Sequence, residues 1–156
     1  MCIRDRSNAL VQQVDTVATV AELLNISLPP NVGEDSISFM PLLTGSQRTV
    51  RTTAVNQSFY GLFAIRQGPW KLVFGRGSGG WDKHSDEKPQ QLYRVDKDPG
   101  EEHNLYGEHP EIERQLTDVM EQIVTNGRST PGAPQQNDVP VNWKRFIGTL
   151  AVSAKN

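Results

Sequence analysis

The hydroxyl, imidazole and carboxylate side chains of this 156-residue chain are where chemistry would have to begin. Ser58, Ser78 and Ser129 are available hydroxyls, and His84, His103 and His109 are available bases. Nucleophilic catalysis needs a hydroxyl, a base and an orienting group in reach of one another. No serine lies in G-x-S-x-G, and no spacing pairs one with a histidine and an aspartate. The histidines make no H-x-x-x-H repeat and the single cysteine is Cys2, so no zinc-ligand pattern exists. "DKDPGEE" opens like a calcium loop, but Gly100 stands where a third oxygen ligand is required and the terminal glutamate spacing fails. Asp98-Pro99-Gly100 is better read as a turn after a strand. Gly75, Gly77 and Gly80 have G-x-G-x-x-G spacing, yet polar "WDKHSDEKP" follows where a phosphate-binding loop needs a helix. That stretch reads as a flexible loop between strands, or as a substrate-side loop carrying Trp81.

The elements that would position these groups are legible from periodicity. Val14, Val17, Ala18, Ala21 and Leu24 have helical spacing, with Asp15 as the expected N-cap of a helix over about 15–25. "FMPLLTG" predicts one helical turn, opened by Pro41 and closed by Gly45. The period then becomes two. "TTAVNQSF" reads as a strand, and "LFAIR" and "WKLVF" as a hairpin joined by "QGP". Phe63 and Ile65 fall on one face of the first hairpin strand, and Trp70, Leu72 and Phe74 on one face of the second. "QLYRV" is a further strand after a long loop. "HPEIERQLTDVMEQIVTNG" predicts the clearest helix, from Pro110 to Gly127, with His109 capping it. Ile112, Leu116, Val119, Met120, Ile123 and Val124 form its apolar stripe. The expected class is therefore α+β, a small antiparallel sheet of about four strands packed by a C-terminal amphipathic helix. Residues 128–156 read as an extended tail.

Net charge is −2 with both signs interspersed, and no basic stripe exists. Nucleic acid and an anionic membrane surface are therefore not expected partners, and no run has the length of a transmembrane helix. The hydrophobic fraction of 36% is low for a self-sufficient globule. Met1–Arg6 matches no element. Back-translated, it resembles a transposon-end sequencing adaptor, so residues 1–6 are read as an adaptor scar and set aside.

Four motifs, in order, resemble the sulfatase family. "VDTVATVAELLNISLPPNVGEDSISFMPLLTG" is similar to the segment closing the family's large α/β domain. "GLFAIRQGPWKLVFG" resembles its "WKL" hairpin, "QLYRVDKDPGEEHNL" its "LY…DPxE…NL" signature, and "HPEIERQLTDVMEQIVTNGRSTPG" its closing helix. The resemblance implies that residues 7–45 are the helical remnant of a missing large domain and 46–127 the C-terminal subdomain. It implies hydrolysis of aryl or carbohydrate sulfate esters by a formylglycine nucleophile with a calcium ion. It also implies a periplasmic or secreted enzyme whose partner is a sulfated small molecule or glycan. No Cys-x-Pro-x-Arg or Ser-x-Pro-x-Arg occurs here. The expectation is a C-terminal fragment, inactive alone, binding no cofactor itself and docking against its own missing N-terminal domain. Its expected contribution is to frame the substrate pocket with Asn56, Gln57, Ser58 and Trp81. Many relatives carry a histidine near Asn56, and this chain departs there, so an acid role at that position is in doubt. Two rival readings stand beside this one. One is an autonomous module for sulfated glycans using Trp81, Tyr60, Arg66 and Lys71. The other is a related phosphoryl-transfer hydrolase, which the "WKL" and "DPxE…NL" motifs disfavour.

Overall fold

The computed structural model describes residues 7–46, 48–80 and 87–149. The suspected scar at 1–6, Trp81, His84 and the last residues from 150 onward lie outside the described residues. The chain divides into two compact units, Met1–Ala54 with Thr125–Gln136, and Val55–Val124 with Asn137–Asn156.

The first unit holds helix α1 (Asp15–Leu23) and the single turn α2 (Met40–Leu43). Pro41 opens α2 and Gly45 follows it at φ +90°. Asp15 is not the N-cap that the sequence predicts. Val14 holds that position, without a side-chain cap bond. Asp15 instead lies wholly buried as the first helical residue, where its carboxylate accepts the amides of Gln12 (2.8 Å) and Ile37 (2.9 Å). It also takes a bidentate pair from Arg51, whose Nε donates at 3.0 Å and whose Nη2 donates to the other oxygen. The remaining Arg51 donors reach Gln12 Oε1, the Thr53 carbonyl and the Asp35 carbonyl. All five guanidinium N–H groups are thereby used. Beside this pair, Thr19 donates to the Asp15 carbonyl and accepts the Phe39 amide, and Ser36 Oγ accepts the Ala18 amide. The inward face of α1 is thus polar, with Asp15, Thr19 and the small Ala21 buried. Of the apolar stripe read from the sequence, Val14, Val17 and Leu24 are exposed, with Val20 beside them, whereas Ala21 is buried. The segment after the long helix returns to this unit, where Ser129 and Thr130 donate to Asp35 and Glu34.

The second unit carries a four-stranded antiparallel sheet in sequential order, β1 (Thr53–Gln57), β2 (Phe63–Gln67), β3 (Trp70–Val73) and β4 (Gln91–Arg94). β1 starts in the first unit and ends in the second. β2 and β3 pair with Ile65 opposite Leu72, turning at Gly68 with φ +56°. β3 and β4 pair with Leu72 opposite Leu92. Alternation puts Ile65, Leu72, Phe74 and Leu92 on one face, and helix α3 (Pro110–Asn126) supplies Leu116 and Met120 to cover them. Ile112, Val119, Ile123 and Val124 pack around that cluster, as the stripe predicts. His109 starts α3 through its backbone carbonyl, which accepts the Ile112 and Glu113 amides. Its ring lies on Trp70 at 5.0 Å.

The stretch read as an extended tail contributes two aromatic side chains to the packing of the sheet. Trp143 is 4% exposed and meets Phe74 edge-on at 4.6 Å between ring centroids. Phe146 packs with Leu62, Val73 and Tyr93 on the opposite side of the sheet. Proline and glycine punctuation hid two aromatic anchors that have no period of their own.

Two substitutions test these cores by urea denaturation. Trp143→Ala removes a buried aromatic and is expected to cost about 3–5 kcal/mol. Arg51→Met strands the Asp15 carboxylate and is expected to cost about 3–5 kcal/mol, with Asp15→Leu/Arg51→Met recovering part of the loss.

Candidate functional site

The sheet face not covered by α3 forms a cleft of about 710 Å³. Asn56 and Gln57 reach it from the end of β1, and Ser58 from the turn that follows. Ala64 lines it from β2, Lys71 and Val73 from β3, and Gln91 and Tyr93 from β4. These positions alternate with the core residues, so the period of two that buries Leu72 also presents Lys71. Three of the four residues predicted to bind substrate are thereby brought to one cleft, and Trp81 is the one outside the described residues. Asn56 and Gln57 are exposed. Ser58 has a structural duty, because its amide donates to the Leu62 carbonyl (2.8 Å) and its hydroxyl accepts the Leu62 amide (3.0 Å).

The loop after β3 is held in place and carries no phosphate-binding helix among its described residues. The Gln91 amide nitrogen donates to the Gly75 carbonyl (2.9 Å) and the Gly77 carbonyl (2.8 Å), while its oxygen accepts Tyr93 Oη (2.8 Å). Gly79 has φ +65°, and a Cβ there would lie 2.7 Å from Leu62 Cβ, so glycine is required. The flexible connection expected from the sequence is, over 75–80, a segment tied to β4. Gln91 itself is 8% exposed and gives no local signal in the sequence, since its partners are carbonyls at another site.

One ion pair sits in the cleft. Lys71 Nζ reaches both oxygens of Glu101, at 2.6 and 2.7 Å. Glu101 has φ +57°, a left-handed conformation that costs a non-glycine residue about 1–3 kcal/mol. The turn before it explains how that geometry persists. Asp98 accepts the Glu102 amide at 3.1 Å and the His103 amide at 2.9 Å through its two carboxylate oxygens. The His103 amide, then the Glu102 amide, hold the Asp98 carboxyl below its ordinary value of 3.8. Asn104 closes the turn against the sheet. Its Oδ1 accepts the Leu92 amide (3.0 Å) and the Tyr106 amide (2.9 Å), and its Nδ2 donates to the Gln90 carbonyl (3.1 Å). The sequence marks Asp98, Pro99 and Asn104 as turn residues but gives no sign that Glu101 answers Lys71.

Asp98 spends its oxygens on backbone amides, and among the described residues no group of three or more His, Cys, Asp or Glu side chains converges. No helix among them is long and apolar enough to cross a membrane.

Comparison with known proteins gives the class. The chain is 31% identical over 126 residues to N-acetylgalactosamine-6-O-sulfatase of Bacteroides thetaiotaomicron, covering 78% of this chain and 25% of that protein. It is 32% identical over 118 residues to human arylsulfatase A, covering 65% of this chain and 23% of the relative. A solved structure from work on glycosaminoglycan metabolism by Bacteroides thetaiotaomicron superposes with a TM-score of 0.63 at 30% identity, covering 75% of this chain and 25% of that one. No protein-family model matches. In sequence and in fold the chain is similar to sulfatases over about three quarters of its length, as expected of a C-terminal portion, and it spans about a quarter of the relatives it matches.

Glu101 separates two effects that denaturation can read. Glu101→Gln keeps the strained backbone and loses the charge, whereas Glu101→Gly loses the charge and relaxes the backbone. The glycine variant is expected to be the more stable by about 1 kcal/mol. Asp98 supplies a pH dependence. Its folded value is lowered, so its contribution is complete above the unfolded value of 3.8 and is lost as pH falls through the folded one. Melting temperatures of the native chain and Asp98→Asn are expected to differ at neutral pH and to converge in acid below that value.

Proposed function

We propose that this chain is the C-terminal portion of a sulfuric ester hydrolase, with the cleft on the open sheet face helping to frame the substrate pocket. The similarity to sulfatases, in sequence and fold over the same three quarters of the chain, carries this reading. Residues 7–45 are the closing segment of the large domain, 46–127 the C-terminal subdomain, and 128–156 its tail. Asn56 and Gln57 offer amides to a bound alcohol, with Ser58 fixing the turn that presents them and Trp81 as a further contact. The substrate is a sulfated sugar or aryl ester. The nucleophile and the calcium ion belong to the part of the enzyme outside these residues, and the portion described here is inactive alone. An exported enzyme, periplasmic or secreted, fits the same reading. The pairing of Lys71 with Glu101 speaks against an autonomous module for sulfated glycans, which would need that cation for its ligand.

The test has two parts. The expressed chain is expected to hydrolyse neither 4-nitrophenyl sulfate nor 6-sulfated N-acetylgalactosamine, and turnover of either overturns its inactivity alone. Sequencing the source DNA upstream of the Ser7 codon is expected to extend the frame through Cys-x-Pro-x-Arg or Ser-x-Pro-x-Arg. A stop codon followed by a genuine start before Met1 removes the reading.

A further inference from the structure

A cleft that handles sulfate esters has most use for a cation, and the cation in this one is already engaged. Lys71 Nζ reaches both carboxylate oxygens of Glu101, at 2.6 and 2.7 Å, with the two side chains 27% and 32% exposed. A pair this open to water adds little to stability. Glu101 nevertheless sits at φ +57°, a conformation that costs a non-glycine residue more than such a pair returns. Stability alone therefore does not account for a glutamate at this position. Strained residues gather at functional sites, and this one faces the cleft.

The charges of the cleft point to what the glutamate does there. Among the described residues that line it, the charged ones are Lys71, Glu101 and Glu102, one positive against two negative. The surface beside the pair is uncharged. Tyr93 lies directly opposite Lys71 in the β3–β4 register, Val73 follows on the same face of β3, and Asn56 and Gln57 line the same cleft from β1. A sulfate or carboxylate group entering here meets a net negative charge and a lysine whose partner is already bidentate. Repulsion of this kind discriminates between ligands as effectively as attraction does. We propose that Glu101 masks Lys71, so that the cleft accepts the uncharged part of a sulfate ester and refuses a second anionic group. This inference rests on the proposed sulfatase reading. It adds the class of substrate, an ester with one sulfate on an otherwise uncharged sugar or aryl group, in preference to doubly sulfated or carboxylate-bearing sugars.

The first experiment is a chemical-shift titration of the whole chain with sodium sulfate, at an ionic strength held constant with chloride. The native chain is expected to show no saturable binding. Glu101→Gln is expected to bind sulfate at least about tenfold more tightly, with the largest shifts around Lys71, and Lys71→Met/Glu101→Gln to lose that gain. Glu101→Gly unmasks the same lysine on a relaxed backbone, so it reads the effect even where the glutamine variant does not fold. Sulfate binding by the native chain that is lost in Lys71→Met overturns the proposal. So does the absence of a gain on removing the Glu101 charge, or a gain that survives loss of Lys71. The second experiment is a chimera in which this chain replaces the matching quarter of the Bacteroides thetaiotaomicron N-acetylgalactosamine-6-O-sulfatase. It is expected to prefer 6-sulfated to 4,6-disulfated N-acetylgalactosamine. Glu101→Gln is expected to narrow that preference about tenfold, through KM more than through kcat, a split that loss of fold would not produce. An unchanged preference overturns the inference and leaves the sulfatase reading standing. A native chimera that does not fold, or that hydrolyses neither ester, overturns the sulfatase reading, while the sulfate titration still decides whether Glu101 masks Lys71.

Discussion

The bidentate pair between Arg51 and Asp15 is the constraint on which the first unit is organised. Asp15 is fully buried and Arg51 is 3% exposed, so both charges are withdrawn from water at a cost of several kcal/mol per ion. Their attraction offsets that cost only when every remaining donor and lone pair is engaged, and here all five Arg51 donors and both Asp15 oxygens are. The pair therefore fixes α1, the Asp35 turn and the approach to β1 in one arrangement. It also decides what α1 can bury. With Asp15 and Thr19 on the inward face, the valines have no interior to enter.

The second unit solves the same problem by the opposite route. Its core is apolar, with Ile65, Leu72, Phe74, Leu92, Leu116 and Met120 withdrawn from solvent. Transfer of such side chains is worth about 1.5–3 kcal/mol each and needs no partner geometry. Polar order is confined to the other face of the sheet and to its edge. At β4 the Asn104 side chain takes the place of a neighbouring strand, satisfying Leu92 and Gln90, and the Leu105 amide completes the set on the Leu92 carbonyl (2.8 Å). An edge closed by a side chain in this way offers no free row of amides to another chain.

Local patterns were legible and long-range partnerships were not. The four strands, the turn at Gly68, the α2 turn and the stripe of α3 each follow from spacing within a dozen residues, and each is found where it is expected. The α1 stripe was equally legible, but periodicity gives the residues on a face and not the direction the face points. That direction comes from Arg51, 36 residues away from its partner, and nothing near Asp15 announces it. Trp143 and Phe146 were missed because an aromatic anchor in a proline-rich stretch has no period. At the cleft, the convergence of Asn56, Gln57 and Ser58 follows from their adjacency at one strand end. Gln91, Tyr93 and Glu101 join them through sheet pairing and a left-handed backbone, which a linear reading does not supply.

The motifs that carry the sulfatase resemblance have physical roles here, and those roles are architectural. In "DPGEEHN", Asp98 accepts two amides, Glu101 meets Lys71 of the "WKL" strand, and Asn104 ties the turn to β4. The hairpin motif and the turn motif are thus the two halves of one clamp, and each is incomplete without the other. This gives two of the four motifs a direct physical connection. A clamp of this kind ties β3 to the turn after β4 and helps to line the open face of the sheet. Asn56 and Gln57 line the same cleft as the Lys71 and Glu101 of this clamp.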